Sequence, residues 1–326
     1  MNNPKVTIAI PVYKVEQYIE RCAVSLFEQT YDNIEYLFIN DCTPDASITI
    51  LENVIARYPN RKEEIKLINH KKNKGLAVAR NTAIENCSSE YIMHVDSDDY
   101  LDITTVECLV NKLKENDYDI ISYNFKVIRK NNEEIWEHPH YRDSKEMTLS
   151  ILKRNTPVCV CGRLIKVELY KKNNIMAIDN INMSEDYTVT TRLAYHAKNV
   201  CTIPIPLYYY DCTNESSYTH IITTDKVNQD WKAVEYVESF FKDKGEEYID
   251  SIVYAKLTYI YRQLIELSLN NNVENTQTFY YLHTKLSEFS KEYIKKMPLS
   301  VRLVFKIKNI FCLKTLIKIK RLLKKF

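Results

Sequence analysis

Glycine is almost missing from this chain, with 3 in 326 residues: Gly75, Gly162 and Gly245. That excludes a G-x-G-x-x-G dinucleotide loop and a Walker loop, both of which need several glycines within one turn. No apolar run reaches the roughly 18 residues that a spanning helix requires, so none is expected. Paired C-x-x-C zinc spacing is also absent. The nine cysteines are scattered, and Cys159 and Cys161, the only close pair, are accounted for by alternation along a strand. No signal peptide is recognised ahead of them, and free thiols in a reducing cytoplasm are expected. Acid is missing from residues 295–326, which carry eleven Lys and Arg and no Asp or Glu. The net charge of +2 hides this, because the rest of the chain holds 34 basic and 43 acidic residues, a balance of −9. An acidic body repels nucleic acid, so none is expected as a partner.

What is present is a 45% apolar composition, 25 tyrosines and enough length for two domains or one large one. "KVTIAIPVY" (residues 5–13), "IEYLFIN" (34–40), "EIKLIN" (64–69), "EYIMHV" (90–95) and "YDIISYNF" (118–125) read as strands. Helical spacing of apolar residues separates them over residues 16–29, 45–58, 75–87 and 104–114. Asp45 is the expected cap of the second helix. This alternation predicts an α/β fold with a mostly parallel sheet covered by helices on both faces. In such sheets ligands bind beyond the carboxyl ends of the strands. Polar residues gather at those ends: Tyr13 and Lys14, Asp41, residues 70–74, and a cluster beginning at Asp96. After residue 126 the alternation breaks, and residues 225–297 read as helical.

The cluster "DSDDYLD" holds Asp96, Asp98, Asp99 and Asp102 in seven residues. Carboxylates about 4 Å apart at an effective dielectric near 20 repel by roughly 4 kcal/mol, so a cation is expected there. Oxygen-only ligands suit Mg²⁺ or Mn²⁺, which keep waters and share themselves with substrate phosphates. A diphosphate is the natural third party. The bland alternative, an acidic turn before the next helix, accounts well for Asp102. The loop "NHKKNKGLAVARN" adds His70, Lys71, Lys72, Lys74 and Arg80. Phosphate neutralisation and a solvated basic turn both fit the lysines. Arg80 stands among apolar residues near the positive end of a helix dipole, which favours a functional role.

The runs "VTIAIPVYKVEQYIERCAVSLF…NDCTPDAS", "NKGLAVARNTAI" and "YIMHVDSDDYLD", in this order, resemble the family 2 glycosyltransferases with the GT-A fold. The resemblance covers roughly residues 5–210. It implies an inverting, metal-dependent enzyme moving a sugar from a nucleotide-sugar donor, by family habit UDP-linked, to a hydroxyl of a glycan or lipid-linked acceptor in bacterial surface polysaccharide synthesis. On it, Pro11, Tyr13 and Asp41 match nucleobase-binding positions, Asp96 the carboxylate reaching the ribose, and Asp98 the metal ligand of the D-x-D motif. Arg80 falls in the family's "ARN" element near the donor. The base that takes the acceptor proton falls on Asp186 in "MSEDY", with Glu185 beside it. From spacing alone, Ser184 and these acids equally make a helix cap. The chain departs from the family with Arg163 where lysine is common and Asp211 where an arginine is frequent. His220 is a weaker metal candidate.

The division implied is a GT-A domain over 1–220 (donor half to about 125), a helical region over 221–297 and a basic amphipathic tail over 298–326. In the tail, Leu316, Ile319, Leu323 and Phe326 fall on one side, and Lys314, Lys318, Arg321 and Lys325 on the other. An anionic membrane surface fits this, at about 1 kcal/mol per basic residue near the bilayer. A helix packed on the domain with a solvated face is the other reading. The enzyme would then be cytoplasmic and peripheral on the inner face of the cell membrane. A sugar-nucleotide pyrophosphorylase and a non-catalytic membrane scaffold are the alternatives in other classes. The first lacks its glycine- and arginine-rich loop here, and joint retention of Asp41, Asp96, Asp98 and Asp186 argues against the second.

Overall fold

A computed structural model describes residues 3–214, 223–269 and 273–323. The chain forms two compact units, residues 1–220 and 221–326. The first alternates strand and helix: β1 (Val6–Val12), α1 (Ile19–Phe27), β2 (Ile34–Asn40), α2 (Ser47–Arg57), β3 (Ile65–Asn69), α3 (Leu76–Asn86) and β4 (Tyr91–His94). There follow β5 (Tyr100–Leu101), α4 (Thr105–Leu113), β6 (Ile120–Ile128), β7 (Glu133–Trp136), α5 (Ser144–Leu152), β8 (Arg163–Lys166), α6 (Val167–Lys172), α7 (Glu185–His196) and β9 (Val200–Asp211).

Among the described residues one sheet holds all nine strands, in the order β3-β2-β1-β4-β8-β6-β9-β5 with β7 on β6. The first four are parallel, as the alternation implies. Beyond β4 the sheet is mixed: β8 enters antiparallel between β4 and β6, and β6 pairs with β9 in parallel. The sequence does not foretell that insertion, because β8 is four residues long and lies 69 positions after β4 ends, read from their bounds.

Period-two alternation splits β1 between two faces. Val6, Ile8, Ile10 and Val12 join Ile19, Cys22, Ala23 and Leu26 of α1 and Val106, Leu109 and Val110 of α4 in one buried cluster. Each large side chain fully buried there contributes about 1.5–3 kcal/mol. The opposite face carries Thr7 and Ala9, and α3 covers β1 and β2 with Ala77, Ala79 and Ala83 buried. The N-cap position of α2 falls on Ala46 and makes no side-chain capping bond, so the expected Asp45 cap is not formed. Asp45 instead accepts from the backbone N–H and hydroxyl of Ser47 at 3.2 and 2.6 Å, bracing the turn just ahead of the helix. The cysteines are free thiols.

The second unit is helical: α8 (Thr224–Phe241), α9 (Glu246–Leu269), α10 (Val273–Leu286), α11 (Lys291–Lys296), α12 (Leu299–Lys306) and α13 (Ile310–Leu323). Its core joins Trp231 of α8, Leu257, Ile260 and Leu264 of α9, and Phe279 and Leu282 of α10. Val301, Val304, Phe305, Ile310 and Leu313 complete that core, so the tail packs on its own unit. Among the described residues no helix is long and apolar enough to cross a membrane.

Candidate active site

The parallel register sets the polar edge. Val12 is opposite Asn40 and Asn40 opposite Asn69, so Tyr13, Asp41 and His70 leave the sheet side by side. Ala9 is opposite His94, which carries Asp96 out beside Pro11. Tyr13 is 40% exposed, a ring face available to a ligand, with Lys14 Nζ 5.4 Å from its centroid.

Asp41 is turned inward. Its Oδ1 accepts from His70 Nδ1 at 2.7 Å and from the Lys74 N–H at 2.8 Å, and its Oδ2 from the Gly75 N–H at 2.8 Å. It therefore shapes the basic loop. Gly75 is required at the loop's end: it has φ +89°, and a Cβ there would lie 2.5 Å from the Asn182 side chain. Asn182 Oδ1 in turn accepts from the Ala77 N–H at 3.2 Å, tying the start of α3 to the segment that leads into α7.

Arg80 is 4% exposed. One guanidinium nitrogen donates to Glu185 Oε1 at 2.5 Å and to Asp186 Oδ1, and the other donates to Asp96 Oδ1 at 2.8 Å. The sequence places Arg80 near the donor phosphates, but its charge is engaged by carboxylates on both sides. Residues more than a hundred positions apart meet here. Burial, with Asp186 alongside, pushes the Glu185 carboxyl up to about 8. Burial also raises Asp186, against the pull of Arg80. Of these two acids Asp186 is the more open, with 16% of its side chain exposed against 6% for Glu185. Ser184 occupies the cap position of α7 with φ 64° and makes no side-chain capping bond, so the expected Ser184 cap is not formed.

The acidic cluster divides by function. Asp102 does turn work, accepting from the backbone and hydroxyl of Thr104 at 2.9 and 2.6 Å. Asp99, 1% exposed, accepts from Tyr208 Oη and the Asp211 N–H, both at 2.8 Å. Burial and the neighbouring Asp98 and Asp96 push it well above the carboxylate range. Asp98 accepts from Asn214 Nδ2 at 2.8 Å, and burial followed by Asp96 raises it too. Arg21, which spacing did not single out, pairs with Asp211 at 2.7 Å, donates to the Asp98 carbonyl at 2.8 Å and stacks 4.4 Å from the Tyr100 ring. Its only sequence signal was the unmatched charge of Asp211. Buried Arg163 donates to the carbonyls of Cys159 and Pro157 and so braces the loop before β8. His220 lies outside the described residues.

Residues 7–173 match the profile of the family described as Glycosyl transferase family 2. The chain belongs to that family. It is 30% identical over 226 residues to the uncharacterized glycosyltransferase EpsJ of Bacillus subtilis (strain 168), covering 67% of this chain and 64% of that one. It is 31% identical over 220 residues to the poly(ribitol-phosphate) beta-glucosyltransferase of Bacillus spizizenii, covering 63% and 32%. The chain thus spans less than two thirds of either relative. The fold matches that of S. aureus TarS 1-349 in complex with UDP, with TM-score 0.73 over 97% of this chain and 91% of that one at 17% identity. This glycosyltransferase accordingly has the GT-A architecture, and the pyrophosphorylase alternative falls.

Among the described residues no three His, Cys, Asp or Glu side chains converge as a metal cage. A hard cation that shares itself with a diphosphate needs no such cage, because it takes only one or two carboxylates. The donor type fits: Asp96 and Asp98 offer carboxylate oxygens two residues apart, and burial, followed by the neighbouring carboxylates, raises both Asp98 and Asp99.

Proposed function

We propose that this glycosyltransferase transfers a sugar, with inversion, from a UDP-sugar to a hydroxyl of a glycan or lipid-linked acceptor in surface polysaccharide synthesis. The observation that carries the reading is the Arg80 junction, which joins a donor-side acid, Asp96, to a buried acid pair opening on the same edge. Exposed Tyr13 offers a stacking face to the base beside Pro11, and Asp41 holds the loop that borders it. Asp96 serves the ribose. Asp98 would hold Mn²⁺ or Mg²⁺, which supplies counter-charge to the leaving diphosphate when bound.

Asp186 takes the proton of the acceptor hydroxyl as that oxygen attacks the anomeric carbon and the bond to the diphosphate breaks. A carboxylate raised by burial is a stronger base, and Arg80 fixes its orientation. Glu185, whose carboxyl burial and the adjacent Asp186 push up to about 8, favours its protonated form beside it, which limits the buried negative charge of the site. Arg80 is a positioning residue in this scheme. The enzyme works in the cytoplasm at the inner face of the cell membrane, held there by its basic tail. The name of the poly(ribitol-phosphate) beta-glucosyltransferase relative supports an acceptor of this class.

Asp186→Asn tests the assignment, because it keeps shape and removes the base. Transfer should fall about 10²–10⁴-fold, while thermal stabilisation by UDP-sugar with Mn²⁺ stays as in wild type. Transfer at the wild-type rate would remove Asp186 as base.

A further inference from the structure

The tail differs from a simple amphipathic helix. Both α12 and α13 pack on α9, with Val301, Val304 and Phe305 of one and Ile310 and Leu313 of the other buried. An amphipathic helix packed this way should show solvent a polar face. These two do not. On α12, Leu299 and Leu303 are 63% and 49% exposed, with exposed Lys306 completing the stripe at the next turn. On α13, Phe311, Leu316 and Ile319 are 71%, 47% and 50% exposed. At 3.6 residues per turn they lie within an arc of about 140°, away from Ile310. Five of the twelve large apolar side chains exposed among the described residues are on these two helices. Single exposed apolar residues are ordinary on a soluble surface, but such a concentration marks a contact face.

The charge around that face selects its occupant. Lys306, Lys308 and Lys318 are exposed, and no acid occurs from residue 295 onward. A second copy would bring the same positive charge to the contact and be repelled. A nucleic acid would answer the lysines but leave the leucines and Phe311 in water. Apolar side chains rimmed by cations match a surface with anionic headgroups over acyl chains.

We propose that α12 and α13 form a prefolded docking face for an anionic lipid bilayer. Leu299, Leu303, Phe311, Leu316 and Ile319 seat at the boundary of headgroups and acyl chains, and the lysines lie among the phosphates. This rests on the membrane-bound reading given above and sharpens it in two respects. The inserting residues are named, and the helices are built before lipid arrives, because their other faces are already packed.

The test is sedimentation of the full chain with phosphatidylcholine vesicles, with and without phosphatidylglycerol. Wild type should bind only the anionic vesicles. Leu303→Ser combined with Phe311→Ser should weaken partition at least about tenfold. Lys306→Gln with Lys318→Gln should weaken it and flatten its salt dependence. Both side chains of the apolar pair face solvent, so the melting temperature and UDP-sugar hydrolysis in solution should not change. A Phe311→Trp variant should show a blue-shifted emission only with anionic vesicles. The proposal is overturned if wild type stays in the supernatant with anionic lipid, if the serine pair binds like wild type, or if the serine pair instead abolishes a lipid-independent dimer. Retained hydrolysis alongside any of these leaves the transferase reading intact.

Discussion

Arg80 donates to Asp96 and Asp186 at once, one acid from the end of β4 and the other from the first turn of α7. Three carboxyl groups, counting that of Glu185, surround one guanidinium that water barely reaches. Removing one partner from such a buried cluster costs about 3–5 kcal/mol. Arg80→Met should therefore lower the melting temperature by on the order of 10 °C for a domain of this size. Arg80→Lys keeps the charge but loses the fork that reaches both sides. It should retain most of the stability and donor binding and lose kcat. Differential scanning fluorimetry beside transfer kinetics separates the two effects, and an Arg80→Lys enzyme with wild-type kcat would deny Arg80 its positioning role.

Asp98 should show the opposite balance. Burial and Asp96 disfavour its charge, so the fold gains nothing from that charge. Asp98→Asn keeps an oxygen to accept from Asn214. Its melting temperature without metal should equal or exceed that of wild type, as expected for a residue kept for function at a cost in stability. The tightening of UDP binding by Mn²⁺ should shrink at least about tenfold in titration calorimetry. Unchanged metal dependence would move the ion elsewhere.

Glu185 gives the pH prediction. Its carboxyl rises from the ordinary 4.5 to about 8 through burial and the adjacent Asp186. Between those values the folded protein keeps a proton that the unfolded chain has released. Its contribution to stability is thus full below about pH 4.5 and lost as pH rises through about 8. Glu185→Gln removes that dependence. Melting temperatures from pH 5 to 9 should decline less steeply in the variant, and parallel curves would contradict the assignment.

The donor half of the fold was legible because its strands are long, apolar and separated by helices of clear period, and parallel pairing then carries every strand end to one edge. The individual acids at that edge were less legible. Asp98 and Asp99 are neighbours, yet one faces Asn214 and the other is sealed against Tyr208. Strand alternation distinguishes them only once the backbone path after His94 is known. The ion pairs of Arg80 were hidden for a similar reason: its partners at positions 185 and 186 are supplied by a helix that no local pattern pairs with α3. The tail was half read. Its charge is plain in sequence, but a helix apolar on two faces has no single stripe to find, and packing alone decides which face is buried.

Asp41 offers the sharpest contrast between a reader and a builder. A reader of the nucleobase would meet the ligand; a builder would hold the loop that meets it. Its carboxylate takes the Lys74 and Gly75 N–H groups, and His70 bridges it to Thr82 at 2.9 Å. Asp41→Ala leaves two loop N–H groups without their acceptor, at about 1–3 kcal/mol each. Melting temperature should drop, and UDP, CDP and GDP should all lose affinity by a similar factor, because a loosened loop serves every base badly. If Asp41 reads the base directly, the Asp41→Asn variant should instead alter the ratio of these affinities with little change in stability. Calorimetric titration of the three nucleotides against both variants separates the roles, because building lowers every affinity together and reading changes their order.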